Sequence, residues 1–331
     1  MKFAILDDFQ AAAASLACMD KLRACGELLV FRTHMSSPHE LIDALRDVHI
    51  LILLRERTQL TASVLEALPS LEMIAQTGGS VPHLDLEAAT RCGIAVCTSS
   101  GAGRSTGSGQ STAELTFALM LAVMRRIPQE HQAMRAGQWQ ISQGVGLQGK
   151  TLGIIGLGRI GSRVAHMAQA FGMRVLATGF TLTAERALAH GVRMAALEDL
   201  LARSDVVSIH LRLSERSYKL IGRRELRLMR PTAYLINTAR GPIVDEAALI
   251  DALRHRRIAG AGLDVFEQEP IDPGNPLLQL DNVVCTPHIG FVTRETYEQM
   301  LGGAVDNIMN YLDGNPTNVK NPQALTQRRG H

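Results

Sequence analysis

The 331 residues carry no surplus of either charge: 34 Lys and Arg stand against 32 Asp and Glu, a net +2. A chain so balanced has no general attraction to nucleic acid or to an anionic membrane. Cysteine is sparse and unpaired in pattern. Cys18, Cys25, Cys92, Cys97 and Cys285 are odd in number and none stands in a C-x-x-C pair. No disulfide framework, zinc site or other metal centre is expected, and reduced thiols in a cytoplasm are the simple reading. No apolar run is long enough to span a bilayer. Met1-Lys2-Phe3-Ala4-Ile5-Leu6 passes straight into Asp7-Asp8, so no signal peptide is expected. Short-period repeats and low-complexity tracts are missing too. What is present is a hydrophobic share of 46 %, enough for a sizeable core, and length for two domains.

Short apolar runs alternate with helical periods along most of the chain. Strands are expected at 2–6, 48–54, 71–75 and 94–97, with helices near 11–23, 38–47, 61–67 and 84–92. Strand alternating with helix means a parallel α/β sheet. Residues 99–109, rich in Ser and Gly, read as a linker or hinge, or equally as a plain surface loop. Ser111-Thr112-Ala113-Glu114 matches a capping box. The helix it would start, Leu115 to Met124, is apolar nearly all round and must be buried, in the core or against another subunit. From 150 the alternation restarts, with strands at 151–155, 174–178, 205–211, 233–238, 259–264 and 283–286. Near 291 it gives way to one long helix, Arg294 to Leu312, stopped by Gly314. The tail from Gln327 to His331 is expected to fray.

The chain is organised around residues 149–165. Thr151 to Ile155 is a short apolar run suited to a strand buried on both faces. Gly156, Gly158 and Gly161 follow in G-x-G-x-x-G spacing, and Val164, Ala165, Ala168 and Phe171 then recur at helical spacing. In a strand–turn–helix unit the first glycine permits the tight turn. The second lets backbone approach a pyrophosphate, and the third lets helix pack on strand. The helix N-terminus offers N–H groups and partial positive charge to the phosphates. This fingerprint sits in mid-chain behind a whole α/β unit, as it would if one domain were inserted into another.

Three clusters lie just past strands, where open α/β sheets bind ligands. Arg240, in Asn237-Thr238-Ala239-Arg240-Gly241-Pro242, suits bidentate capture of a carboxylate, or equally a structural ion pair. Asp264, Glu267 and Glu269 lie in Gly262-Leu263-Asp264-Val265-Phe266-Glu267-Gln268-Glu269-Pro270. Glu267 reads best as a solvated acid. His288 lies in Thr286-Pro287-His288-Ile289-Gly290. An Arg, a carboxylate and a His on successive strand ends of one sheet can converge beside a bound cofactor.

With these four motifs in this order, the sequence resembles the D-isomer-specific 2-hydroxyacid dehydrogenases over nearly its whole length. The resemblance implies two doubly wound parallel-sheet domains, a Rossmann dinucleotide-binding domain (101–290) inserted into a flavodoxin-like substrate domain (1–100 and 291–331). It implies hydride transfer between NAD or NADP and a small 2-oxo or 2-hydroxy acid. The catalytic residues would be Arg240, Glu269 and His288. Cofactor would lie on Gly156, Gly158, Arg159, Ile160, Gly161, Thr238 and Asp264. Substrate would be held by Arg240, by Gly78 and Gly79 of Thr77-Gly78-Gly79-Ser80-Val81, and by Arg55, which follows the strongest strand of the first unit. Glu269 would pair with His288 and favour its charged form. A homodimer built around the helix that Ser111 starts is implied as well. A dinucleotide-sensing, peptide-binding protein like the C-terminal-binding-protein corepressors is the alternative within this fold; the short tail favours the enzyme.

Three positions depart from the family pattern. The acid that usually follows the glycines by about 20 residues and takes the ribose hydroxyls is replaced by Gly179-Phe180-Thr181, with Arg186 close by. Both NADH and NADPH are therefore expected to work. The family's common His-x-Pro reads His210-Leu211-Arg212. The substrate loop ends Pro82-His83-Leu84-Asp85 where Asp-Asn-x-Asp is frequent.

Overall fold

The computed structural model describes residues 1–99 and 109–327. The expected linker lies mostly outside the described residues, as does the tail beyond Gln327. The chain divides into two compact units, residues 1–108 with 293–331 and residues 109–292.

The first unit is a five-stranded parallel sheet of β1 (Lys2–Leu6), β2 (Glu27–Val30), β3 (Ile50–Leu53), β4 (Met73–Gln76) and β5 (Ala95–Thr98), in the order β2-β1-β3-β4-β5. This is the flavodoxin-like order. β3, β4 and β5 are buried along their whole length, as strands covered by helices on both faces must be. β2 was not expected. It is an edge strand, half-exposed and paired only to β1, so its four residues carry no clear apolar run. The expected helix at 11–23 is broken into Ala12–Ser15 and Met19–Cys25, because Leu16 turns extended and is buried.

The long helix Arg294–Leu312 packs on β4 and β5 and buries Leu301, Ala304, Val305 and Ile308. Gly314 follows it at φ +77, as expected of its stop. The chain then returns along β5. Cys97 and Val319 form an antiparallel bridge, and the Asn321 side chain bonds the Val96 N–H (2.8 Å) and the Ile94 carbonyl (2.9 Å). The free edge of β5 is thereby covered.

The second unit is a seven-stranded parallel sheet: β6 (Thr151–Ile155), β7 (Arg174–Thr178), β8 (Arg193–Met194), β9 (Val206–Ile209), β10 (Tyr234–Asn237), β11 (Gly260–Leu263) and β12 (Val283–Cys285). Its order is β12-β11-β10-β9-β6-β7-β8. β6 is flanked by β7 on one side and β9 on the other, so strand order reverses at the glycine turn, the usual place for a dinucleotide. β8 was not expected, and two exposed residues have no readable period. Helix Gln110–Met124 lies over β10, β11 and β12, and buries Phe117, Leu119, Met120, Val123 and Met124 in the core. The capping box expected at Ser111 is not what starts it: the helix begins at Gln110, with Gly109 as its N-cap at φ +95. Phe171, expected on the apolar face of helix Arg159–Ala170, is instead its C-cap. It is 46 % exposed and stacks on Phe117 at 5.3 Å.

Candidate active site

The glycine turn joins β6 to helix Arg159–Ala170. Gly156 has φ +103, and a Cβ there would lie 2.8 Å from the backbone of His210. A Cβ on Gly161 would fall 2.2 Å from the Gly156 carbonyl, so only glycine lets this helix close on the turn. Gly158 differs: nothing lies within 4 Å of the space a Cβ would fill. The helix has no side-chain cap, so its first N–H groups face that open space. Arg159 is exposed and Ile160 half-buried at the helix start. A bare backbone cradle with an uncapped helix N-terminus fits the pyrophosphate of a dinucleotide. Behind it, His210 shares a 2.9 Å hydrogen bond with Ser208, and burial pushes its imidazole down to about 4.

Arg240, Glu269 and His288 follow β10, β11 and β12, three adjacent strands. Arg240 is carried on a turn clamped by Asn237, whose amide donates to the Arg240 carbonyl (3.0 Å) and accepts from the Ala239 N–H (3.0 Å). The Glu269 carboxylate accepts from the Phe266 N–H at 2.9 Å and meets His288 Nδ1 at 2.5 Å. Burial opposes the charge on Glu269. The hydrogen bond and charge of His288, the Phe266 amide and the nearby Arg240 outweigh it and hold the carboxyl below its usual range. The three expected catalytic residues are thus brought together in one unit.

His288 itself sits at φ +52, in the left-handed region that a side chain seldom occupies. Its loop is held by Asp264, only 1 % exposed, which accepts from Thr286 Oγ1 (2.6 Å) and from the N–H groups of Ile289 and Gly290 (both 2.8 Å). Burial pushes the Asp264 carboxyl up against the opposing pull of these three bonds and of His288. Both Asp264 oxygens are therefore turned to the loop that carries His288. Thr238 is buried beside Thr116, with the two hydroxyls 2.9 Å apart. The clamps at Asn237 and Thr286 were not assigned from sequence. Their signal is a polar side chain at a strand end, which bonds nearby backbone.

In the first unit, Arg55 follows β3 with φ +62, and its N–H donates to Thr77 Oγ1 at 2.9 Å. Its guanidinium lies across Gly78, where a Cβ would stand 2.3 Å from Nη1; Gly78 itself has φ +99. The Gly78 N–H donates to Ser99 Oγ at 2.9 Å, and Gly79 is exposed. Arg57 goes elsewhere: it donates to the Asp7 carbonyl (2.6 Å) and lies 4.8 Å over the Phe9 ring. His83 is buried, which pushes its imidazole below the usual range, and Asp85 caps helix Leu86–Arg91. Among the described residues, no cluster of His, Cys, Asp and Glu could hold a metal ion, and no helix is long and apolar enough to cross a membrane.

Residues 117–290 match the model of the D-isomer specific 2-hydroxyacid dehydrogenase NAD binding domain. The chain is 41 % identical over 281 residues to a glyoxylate reductase of Aeropyrum pernix, covering 82 % of each. It is also 41 % identical over 267 residues to a D-3-phosphoglycerate dehydrogenase of Archaeoglobus fulgidus, covering 80 % of this chain and 50 % of that longer one. A solved oxidoreductase from Ralstonia solanacearum superposes with a TM-score of 0.92 at 42 % identity, over 98 % of both chains. The glycine cradle and the Arg–Glu–His grouping thus occur in a chain that matches this family in sequence and in fold. The chain belongs to the D-isomer specific 2-hydroxyacid dehydrogenase family, NAD(P)-dependent oxidoreductases acting on the CH–OH group of 2-hydroxy acids.

Proposed function

We propose that this chain reduces a short 2-oxo acid of the glyoxylate and hydroxypyruvate kind, with Arg240, Glu269 and His288 as its catalytic residues. The observation that carries the reading is the 2.5 Å bond between His288 Nδ1 and Glu269, with Arg240 beside them, on strand ends of the sheet that bears the glycine turn. Bound there, the dinucleotide supplies or accepts the hydride. Arg240 holds the substrate carboxylate and draws electron density from the carbonyl. As negative charge grows on the carbonyl oxygen, His288 delivers a proton from Nε2, because Nδ1 is committed to Glu269. In the reverse direction the same nitrogen takes the proton from the hydroxyl. Asp264 keeps the ring at its place through Thr286, Ile289 and Gly290. Thr238 lines the cofactor side, and Arg55, Gly78 and Gly79 contribute to the substrate.

The chain also acts as a homodimer in a cytoplasm on this reading. Helix Ile127–Arg135 and the segment after it expose Met134 (62 %) and Trp139 (75 %), along with Ile127 and Ile141, an apolar run suited to a second copy. All five cysteines are free, and burial pushes the thiols of Cys97 and Cys285 up to about 11, as suits unreactive reduced cysteines.

The test is a panel of glyoxylate, hydroxypyruvate, pyruvate, phenylpyruvate and 2-ketogluconate, followed by cofactor oxidation. Glyoxylate or hydroxypyruvate is expected to give the highest kcat/KM. His288→Ala is expected to lose on the order of 10²–10⁴-fold in kcat with cofactor binding retained. Turnover unaffected in that variant would remove His288 from the chemistry.

A further inference from the structure

The imidazole of His83 is buried without a partner. The residue is 3 % exposed, and neither Nδ1 nor Nε2 has a hydrogen bond. An unpaired buried polar group is destabilising, so its presence asks for a physical reason. His83 also stands in Pro82-His83-Leu84-Asp85, where Asp-Asn-x-Asp is frequent in the family. This chain has thus placed a group that can take a proton where an asparagine cannot.

The backbone around the ring ties together the loops that carry Arg55 and Gly78. The Leu60 N–H donates to the His83 carbonyl at 2.8 Å, and the Asp85 N–H donates to the Leu60 carbonyl at 3.0 Å. The loop after β3 is thereby joined to the loop after β4. Arg55 and Glu56 are the charged groups that act on the ring. They form a loose pair, 3.8 Å from Nη2 to Oε2, and both are half-buried. Asp85, two residues on, has its carboxylate turned to the Ala88 N–H at 2.8 Å. Burial is the largest influence on His83 and pushes its imidazole below the usual range. Glu56 pulls it up and Arg55 pushes it down. The ring is therefore neutral at neutral pH and takes a proton only in acid. The Arg55 backbone is fixed meanwhile: its N–H is held by Thr77 Oγ1 at 2.9 Å and its carbonyl by the Gln76 amide at 3.0 Å. What a charge on the ring can change is the partner of the Arg55 guanidinium.

We propose that His83 is a positioning residue for the substrate anion that acts through Glu56: the neutral ring leaves the Glu56 carboxylate with Arg55, and the protonated ring draws it off. Arg55 then meets the oxo acid with its charge no longer balanced by Glu56. The proton also adds one positive charge beside Arg55 and Gly78, so the substrate carboxylate is bound more tightly in acid. By reciprocity, a bound oxo acid makes His83 easier to protonate. This inference rests on the reading of Arg55 and Gly78 as substrate contacts.

The test is the KM for the preferred oxo acid of the panel, with saturating reduced cofactor, from about pH 7.5 to about pH 5. Wild type, His83→Asn and Glu56→Gln are compared. His288 is present in all three, so its share of the pH dependence cancels. The wild-type KM is expected to fall with pH at least about threefold more than that of His83→Asn, while kcat keeps the same pH shape in both. Glu56→Gln removes the competing carboxylate at every pH. Its KM near neutral pH is expected to lie at least about threefold below that of the wild type and to show no further fall in acid. A merely structural role for either side chain would raise KM and leave its slope with pH unchanged. A smaller difference between wild type and His83→Asn, or a Glu56→Gln KM at or above the wild-type value near neutral pH, overturns the inference while leaving the dehydrogenase reading in place. Failure to turn over any acid of the panel overturns the two together.

Discussion

His288 occupies a backbone conformation that costs free energy for a side-chain-bearing residue, on the order of 1–3 kcal/mol. What holds it there is Asp264, whose two oxygens take one hydroxyl and two N–H groups from the loop. Without that acceptor, the amides of Ile289 and Gly290 lose their partner and the His288 ring loses its fixed approach to Glu269. Asp264→Ala is therefore expected to cost roughly 1–3 kcal/mol in urea denaturation and to lower kcat more than it raises KM for the oxo acid. A variant of wild-type stability and wild-type kcat would show that the loop holds itself. The same reasoning applies to Arg240, whose turn is fixed by the Asn237 amide and by its own guanidinium on the Ala239 carbonyl.

At the scale of elements, the strand–turn–helix around Gly156, Gly158 and Gly161 separates two demands that glycine meets. Gly161→Ala drives a methyl group onto the Gly156 carbonyl, 2.2 Å away, so the helix must part from the turn. We expect a loss of about 1–3 kcal/mol in stability together with weakened cofactor binding. Gly158→Ala meets nothing within 4 Å and is expected to leave stability unchanged while weakening the dinucleotide, because the methyl group fills the cradle. Equal stability loss in the two variants would contradict this division. The unit was legible in the sequence because its strand is buried on both faces and its helix changes the apolar period at once. The trio was legible because each member lies three to six residues past a strand end within a recognisable motif. β2 and β8 were not, since an edge strand of four residues and a strand of two carry too little apolar pattern. Gln110–Met124 was expected from Leu115, so its end was right but its start was late and its cap was wrong. The backbone turn at Gly109, not the Ser111 side chain, sets its beginning. The clamping role of Asp264 depends on chain returning past β12, which spacing along one segment does not reveal.

For the molecule as a whole, the apolar surface carried by Ile127, Met134, Trp139 and Ile141 sets the expected assembly. Light scattering coupled to size exclusion is expected to give twice the 35.9 kDa chain mass. A double variant, Met134→Glu with Trp139→Glu, is expected to shift it to the monomer, since charge is disfavoured at an interface centre. A wild type that runs as a monomer would contradict the homodimer. On the proposed mechanism the reversible hydride transfer is balanced by a proton at His288, with Glu269 ionised through the working range because its carboxyl is held below the usual values. Its contribution is thus present above the ordinary carboxylate range and lost only as pH falls through that lowered value. Reduction needs the protonated ring and oxidation the neutral one, and the Glu269 carboxylate at Nδ1 leaves Nε2 as the nitrogen that exchanges the proton. The most direct test is the pH dependence of kcat in both directions for wild type and Glu269→Gln. The account predicts that wild-type kcat falls in both directions as pH drops through the lowered range of Glu269, and that Glu269→Gln, which has no carboxylate to protonate, lacks that limb. Superimposable profiles would contradict it.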